Sequence, residues 1–480
     1  MKRSAAVLRK RQWSSATLVC FVVLFAALRM RTALQKSLDA RKCWLSFLKK
    51  QIACVFNLKT MNFKPNPLLY GANEDFYSTF RLAIRMKDIV DYELLRCSVH
   101  KAAVRYPYFC VLPKREEDNL VLHYNSSPLP VFPDDRAVTL GSEESNGHLI
   151  SFGCKDNTIF IDCSHYLADG MGVEPLMKSL FYLYVSKRYG TEGLETERIR
   201  MPDSPICDGE HIYPFPDGAM NTEEFCTLSK EPEEVYNLDP VAFDTEGLYA
   251  YHLHVPQKEM MAMASSSDGS PVSFLSVLLY RALHRLDDNI DKPVLAHVQH
   301  QYRAVLRTPM SHHSLVNYIP VTMPPRLNKW DVEKQNTVVR GQVILKGDKE
   351  ADIASINRLI ETFPSESPFA DKRDAMARYS EKSILGKTFG ISYVGKLDWC
   401  GLERYVKDLY AYIGERHTKN MLLIEVMTVG EDFSLTFMQS GRGEKYLNAF
   451  VEEIRSLHIP VSLVGEERYK LCNTASMMQC

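Results

Sequence analysis

One pattern occurs twice in this sequence, and it limits how the chain folds more than any other feature. His148–Lys155 reads as a strand, Asp156-Asn157 as a turn and Thr158–Ser164 as a second strand, with Ile159, Ile161 and Cys163 set against Phe160, Asp162 and Ser164. After His165–Gly172 comes a helix. Its apolar positions Val173, Leu176, Met177, Leu180, Phe181 and Tyr184 keep the i, i+3, i+4, i+7 rule, and Gly190 stops it. Near the C-terminus the unit recurs: Met421–Val429, the turn Gly430-Glu431-Asp432, Phe433–Met438, then a helix with Tyr446, Leu447, Phe450, Val451, Ile454 and Leu457 on one face. The repetition predicts two similar subdomains. His165 ends the second strand of the first copy; Gln439 or Ser440 stands there in the second, so one half carries a reactive group that the other lacks.

The remaining patterns fill in the two halves. Phe80–Lys87 predicts a strand, and Asp91 caps a helix running to about Tyr106, where Pro107 ends it. Short strands are expected at Phe109–Lys114 and Leu120–Tyr124. Thr191–Glu246 is rich in Pro, Glu, Asp and Gly and predicts a long linker. Beyond it come a strand at Leu248–Val255, helices at Lys258–Ser267 and Val272–Leu286, and a strand at Val294–Tyr302. The expected division is 61–190, a linker over 191–247, and 248–480.

At 45% hydrophobic and 24% charged the composition is globular, and a net charge of -1 gives no electrostatic signature for nucleic acid. The charge is unevenly spread. Residues 1–60 hold thirteen Lys and Arg against one acidic residue, Asp39, so they carry +12 and the rest carries -13. Within them Gln12–Leu28 is 17 residues without charge, at the lower edge of what spans a membrane, and Arg31–Lys59 fits a basic amphipathic helix. Two readings stay open: an extension outside the working protein, which would start at Met61, or a weak membrane anchor. The twelve cysteines form no C-x-x-C pair, the pattern of a reduced, cytoplasmic protein.

The segment Ser164-His165-Tyr166-Leu167-Ala168-Asp169-Gly170 has a specific chemical reading. A histidine at a strand end projects into the crevice beyond the sheet, and its unperturbed pKa of about 6.5 lets it take a proton from a nucleophile at neutral pH. Asp169, at the entrance to a helix, caps it or pairs with an Arg. Gly170 is expected to allow backbone geometry closed to other residues. For an isolated His and Asp the commoner role is structural, a satisfied turn histidine and a helix cap.

His165-x-x-x-Asp169-Gly170 resembles the motif of the CoA-dependent acyltransferase superfamily, which includes chloramphenicol acetyltransferase, the plant BAHD acyltransferases, alcohol acetyltransferases and the condensation domains of nonribosomal peptide synthetases. Arg105-Tyr106-Pro107-Tyr108-Phe109 resembles the Arg-His-Pro stretch of condensation domains. Gln301-Tyr302-Arg303 with Asn317-Tyr318-Ile319-Pro320 resembles the strand ending in Arg and the later Asn of the second half. Phe389–Gly395 resembles the strand bordering the active-site tunnel. The 310 residues after Gly170 match the monomeric two-subdomain members, since trimeric members carry the motif near the C-terminus. Two departures stand out. Ser164 replaces the first of the two adjacent histidines of condensation domains, and the Asp-Phe-Gly-Trp-Gly signature of BAHD enzymes is absent.

The resemblance implies an α/β fold of two α+β two-layer sandwiches, both chloramphenicol-acetyltransferase-like, with a tunnel between them. It implies a monomer that transfers an acyl group, most simply acetyl, from acyl-CoA to a small alcohol or amine. His165 is the general base; Asp169 is structural and pairs with Arg303 or, failing that, Arg307; Ser392 or Asn317 supplies an oxyanion donor. Acyl-CoA is a co-substrate, with no bound cofactor. Competing readings are a non-catalytic binding relative and, through residues 12–28, a membrane-attached lipid acyltransferase. Other motifs fail on physical grounds. Gly386-Lys387-Thr388 lacks the first glycine of a phosphate loop, where Glu381 stands, and a strand follows it. His297 and His300 point to opposite faces of one strand, and with His312 and His313 they meet no zinc spacing, so no metal is expected.

Overall fold

The computed structural model describes residues 62–72, 78–221, 231–239, 247–384, 387–413, 421–469 and 474. The chain divides into two units, Met1–Met61 and Asn62–Cys480, and the description concerns the second. The basic extension, its uncharged run 12–28 and the amphipathic pattern 31–59 therefore lie outside the described residues. Among the described residues no helix is long and apolar enough to cross a membrane.

In chain order the strands are β1 Asn62–Phe63, β2 Thr79–Met86, β3 Val111–Glu116, β4 Asn119–Tyr124, β5 Val131–Phe132, β6 Ile150–Lys155, β7 Thr158–Ser164, β8 Leu248–Pro256, β9 Val294–Gln301, β10 Val316–Met323, β11 Phe389–Tyr393, β12 Val406–Ile413, β13 Leu422–Val429, β14 Asp432–Ser440 and β15 Ser462–Tyr469. The helices are α1 Tyr92–Ala103, α2 Gly170–Tyr189, α3 Gln257–Ser266, α4 Pro271–Leu286, α5 Val332–Lys346, α6 Lys349–Thr362, α7 Phe369–Ile384 and α8 Lys445–Ser456.

The repeated unit becomes β6–β7–α2 and β13–β14–α8. Each hairpin sits inside a larger sheet, one of order β12-β2-β7-β6-β5 and one of order β10-β9-β11-β13-β14-β8-β15; a third, small sheet has order β1-β4-β3. In the seven-stranded sheet the period of two separates the faces. Leu253, Val298, Ile391, Ile424, Leu435 and Phe437 lie in one core with Phe274 and Leu278 of α4 and Phe450 and Ile454 of α8. Burial of each such side chain contributes about 1.5–3 kcal/mol. The opposite face carries Ala250, Leu423 and Met438, which pack with Ala83, Tyr410 and Tyr412 of the five-stranded sheet.

Strand β12 comes from the C-terminal half, yet it pairs antiparallel with β2, Tyr410 opposite Ala83 and Ile413 opposite Phe80. Reading the chain as two consecutive halves does not include this exchange. Its consequence is mechanical: the seam between the sheets is crossed by a hydrogen-bonded strand. Helix α1 also ends earlier than its apolar spacing predicts, because Tyr106 before Pro107 is turned out of the helical region to φ -123° and ψ 59°.

Candidate active site

The motif loop joins β7 to α2. His165 N–H donates to the Ser78 carbonyl at 2.7 Å, while Leu167 and Ala168 N–H donate to the Ser164 carbonyl at 2.9 and 3.2 Å. Asp169 is the N-cap of α2. Its Oδ1 accepts from Gly172 N–H at 2.8 Å, satisfying one of the orphan donors at a helix start. The same carboxylate receives both terminal nitrogens of Arg303, at 2.7 Å each, and Oδ2 also accepts from Leu315 N–H at 2.9 Å. Arg303 in turn donates to Gln301 Oε1 and to the carbonyls of Ser311 and His313. Both ions are buried, so the bidentate geometry and the surrounding donors and acceptors offset their desolvation. Arg307 is exposed, at a positive φ of 54°, and takes no part in this pair. It lines, with Met171, Gln301, Arg303, Ala304 and Pro309, an open cavity of about 470 Å³ beside the start of α2.

Asp169 is thus occupied by structural bonds, and the histidine of the motif is free of that duty. His165 is half-buried, its ring 4.6 Å from the Phe80 ring, centroid to centroid. Desolvation pushes its imidazole down to about 4, with the Asp169 charge pulling the other way. At neutral pH the ring is uncharged and holds a free lone pair. Ser164, in the place of a neighbouring histidine, is fully buried, and its hydroxyl lies 3.0 Å from that of Thr474.

The expectation for Gly170 is corrected. Its φ is not positive, and a Cβ there would meet only Val394, at 3.8 and 3.9 Å. The glycine that the fold requires is Gly172. A Cβ on it would stand 2.1 Å from the His312 carbonyl oxygen and 2.8 Å from its carbon, because the first turn of α2 lies directly against that backbone. Gly172→Ala is therefore expected to destabilise the protein by at least roughly 1–3 kcal/mol, and Gly170→Ala to stay within about 0.5 kcal/mol of wild type. Urea unfolding of the two variants checks this; equal midpoints would contradict it.

The linker is more than a spacer. Glu210, fully buried, accepts from both terminal nitrogens of Arg105 (3.0 and 2.8 Å), from the Tyr108 hydroxyl (2.6 Å), from Arg200 (2.9 Å) and from Cys207 N–H (3.0 Å). Burial raises its pKa, but these bonds outweigh it and hold the carboxyl below its usual value. The Glu210 carbonyl bonds the backbone N–H and the Nδ1 of His312, and His313 Nε2 reaches the His211 carbonyl at 3.3 Å. Glu210 therefore connects Arg105 and Tyr108 to the 311–313 loop that braces Arg303. His312 and His313 are packing groups, His300 pairs with Asp352 at 3.1 Å, and His297 stacks on Tyr318. Among the described residues no group of three or more His, Cys, Asp or Glu is arranged to hold a metal ion.

Ser392 and Asn317 are not brought together. Ser392, on β11, shares its strand face with Gly390, the face opposite Ile391. Its hydroxyl donates to Gln299 Oε1, and Glu425 is its register partner on β13. Asn317 has the parity of Ile319 and Val321, which lie in the helix-covered core, and its Oδ1 accepts from Ser355 of α6 at 3.5 Å. A small cavity of about 20 Å³ is bordered by Ser392, Gln299, Glu425, His297, Tyr318 and Ile413. Sequence reasoning missed Glu425, Gln299 and Glu210. Glu425 had a signal: it is the one charged residue in the apolar run Leu422–Val429.

No family model and no curated protein sequence matches the chain. Solved structures do resemble it. Polyketide synthase associated protein 5 from Mycobacterium tuberculosis superposes with a TM-score of 0.51 at 13% identity, covering 83% of this chain and 96% of that one. F. graminearum TRI101, complexed with coenzyme A and deoxynivalenol, gives 0.54 at 10% identity, with 82% and 97% covered. F. sporotrichioides TRI101, complexed with coenzyme A and T-2, gives 0.51 at 9% identity, with 84% and 100% covered. With its two hairpin-and-helix sheets, the chain has the mixed α/β, two-subdomain fold of these solved structures.

Proposed function

We propose that the chain is an acyl-CoA-dependent O- or N-acyltransferase with His165 as its general base. The observation that carries this reading is an uncharged, half-buried imidazole on a loop locked by the Asp169–Arg303 pair. The TRI101 structures contain coenzyme A, and the shared fold supports the same co-substrate for this chain. His165 comes from 61–190 and Arg303 and Ser392 from 248–480, so we take these segments as the two working halves, joined by 191–247. The acceptor hydroxyl or amine gives its proton to the His165 imidazole as its oxygen or nitrogen attacks the thioester carbonyl. The C–S bond then breaks, the carbonyl reforms, and the imidazolium returns the proton to the departing sulfur, giving the acylated acceptor and free CoA. No acyl-enzyme forms. The developing oxyanion supplies the countercharge that makes proton gain at the buried ring affordable.

Purified protein with acetyl-CoA and a panel of alcohols and amines should yield an acylated acceptor by mass spectrometry. Binding of acyl-CoA by calorimetry with no product would favour the non-catalytic reading. The pH profile has a definite shape. The base form of His165 persists until pH falls through about 4, so kcat/KM should stay level from pH 8 to about 5 and fall only below that. An acidic limb at the ordinary histidine value of about 6.5 would show that the free ring is not desolvated in this way.

A further inference from the structure

Ser164, the residue before His165, is bonded through every polar group it has. Its N–H donates to the Leu149 carbonyl at 2.9 Å, and its carbonyl takes the N–H groups of Leu167 and Ala168. Its hydroxyl accepts from Tyr166 N–H at 3.3 Å. These bonds stay within the motif loop or reach the segment that leads into β6. A further contact comes from the C-terminal tail, 310 residues away: the Ser164 and Thr474 hydroxyls lie 3.0 Å apart, one donating to the other. Thr474 is fully buried, as are Ser164 and Leu140, and its backbone forms a parallel bridge with that of Leu140. The tail residue is therefore fixed at the base of the motif loop by backbone and side chain alike, where a hydroxyl bond is costly to lose.

The bond matters because of what His165 lacks. Among the described residues no hydrogen bond orients its imidazole. The nearby carboxylate of Asp169 is committed to Arg303, Gly172 and Leu315. The ring packs against Phe80, a contact that limits its position without fixing the direction of a nitrogen. The aim of the ring is then set by the backbone that carries it. That backbone is anchored on one side by the Ser78 carbonyl, which takes the His165 N–H at 2.7 Å. On the other side the anchor is Ser164, whose hydroxyl joins Tyr166 N–H to Thr474. A reacting group held by its backbone alone depends on the residues that support that backbone.

We propose that Thr474 is a positioning residue for His165: its bond to Ser164 fixes the backbone from which the imidazole is aimed, so the C-terminal tail is part of the support of the active site. The effect on turnover rests on the acyl-transfer reading above; the effect on the ring does not. Thr474 touches no substrate and acts only through Ser164. Misplacing a catalytic group by about 1 Å costs up to about 10²-fold in rate, and loss of one supporting bond should cost part of that.

The test compares wild type, Thr474→Val, Thr474→Ser and Ser164→Ala in the full chain. Valine keeps the shape of threonine without the hydroxyl; serine keeps the hydroxyl. Thr474→Val should lose about 10-fold in kcat for thiol release from acetyl-CoA with little change in KM, while Thr474→Ser stays within about 2-fold of wild type. Ser164→Ala should lose at least as much as Thr474→Val, since Tyr166 N–H also loses its acceptor. Adding Thr474→Val to Ser164→Ala should cost nothing more, because the bond is already gone. A second readout needs no turnover. With isotope-labelled histidine, the NMR signal of the His165 ring, identified by its loss in His165→Ala, should move in Thr474→Val and keep its wild-type position in Thr474→Ser. Wild-type kcat in Thr474→Val, an unmoved His165 signal, or additive losses in the double variant overturns the proposal, whatever happens to the unfolding midpoint. No thiol release by wild type would instead sink the acyl-transfer reading, and the His165 signal alone would then decide the positioning role.

Discussion

Asp169→Ala is expected to lose roughly 3–5 kcal/mol of stability, because it strands a buried guanidinium. The Asp169 carboxylate takes four hydrogen bonds, from Arg303 twice, Gly172 and Leu315, so its removal also uncaps α2 and frees the 311–315 loop. Arg303→Ala should cost a similar amount, since it leaves the carboxylate unpaired and the carbonyls of Ser311 and His313 without their donor. The double variant should be no less stable than either single one, giving a coupling about as large as one single loss. Asp169→Asn should fall between, since Asn still caps a helix but carries no charge. Denaturant unfolding of the set measures this. Additive losses would mean that the two side chains do not act as a pair.

His165→Ala should do the reverse. Removing a general base costs about 10²–10⁴-fold in turnover. The ring is half-buried and its main contact is Phe80, so the unfolding midpoint should move little. A midpoint shift as large as that of Asp169→Ala would return His165 to a structural role. Joined to the first prediction, this separates the residue that reacts from the residue that holds the loop.

How much of this was legible in the sequence depends on the range of the interaction. The hairpin–helix units and the caps Asp91 and Asp169 were readable because each acts within a few residues: Asp91 bonds Leu94 N–H and Asp169 bonds Gly172 N–H. The Asp169–Arg303 contact spans 134 residues, and only the resemblance pointed to it. Strand β12 was invisible as a partner of β2, since its apolar alternation fits either sheet and the pairing joins residues more than 300 positions apart. Glu210 was hidden in an acidic linker, where nothing local distinguishes a buried glutamate from its solvated neighbours. Helix α5 buries Gln335 and Asn336 beside Val339, so its buried positions lack the apolar stripe that marks α2. The glycine assignment shows the limit most clearly. Gly170 carries the motif, but the requirement at Gly172 comes from the His312 backbone, remote in sequence.

The most direct test is the rate of free-thiol release from acetyl-CoA at pH 7, with wild type and His165→Ala compared across an alcohol and amine panel. With at least one acceptor, release by wild type should exceed that of the variant by about 10²-fold or more. Equal rates for the two proteins with every acceptor would contradict an acyltransferase that uses His165 as its base.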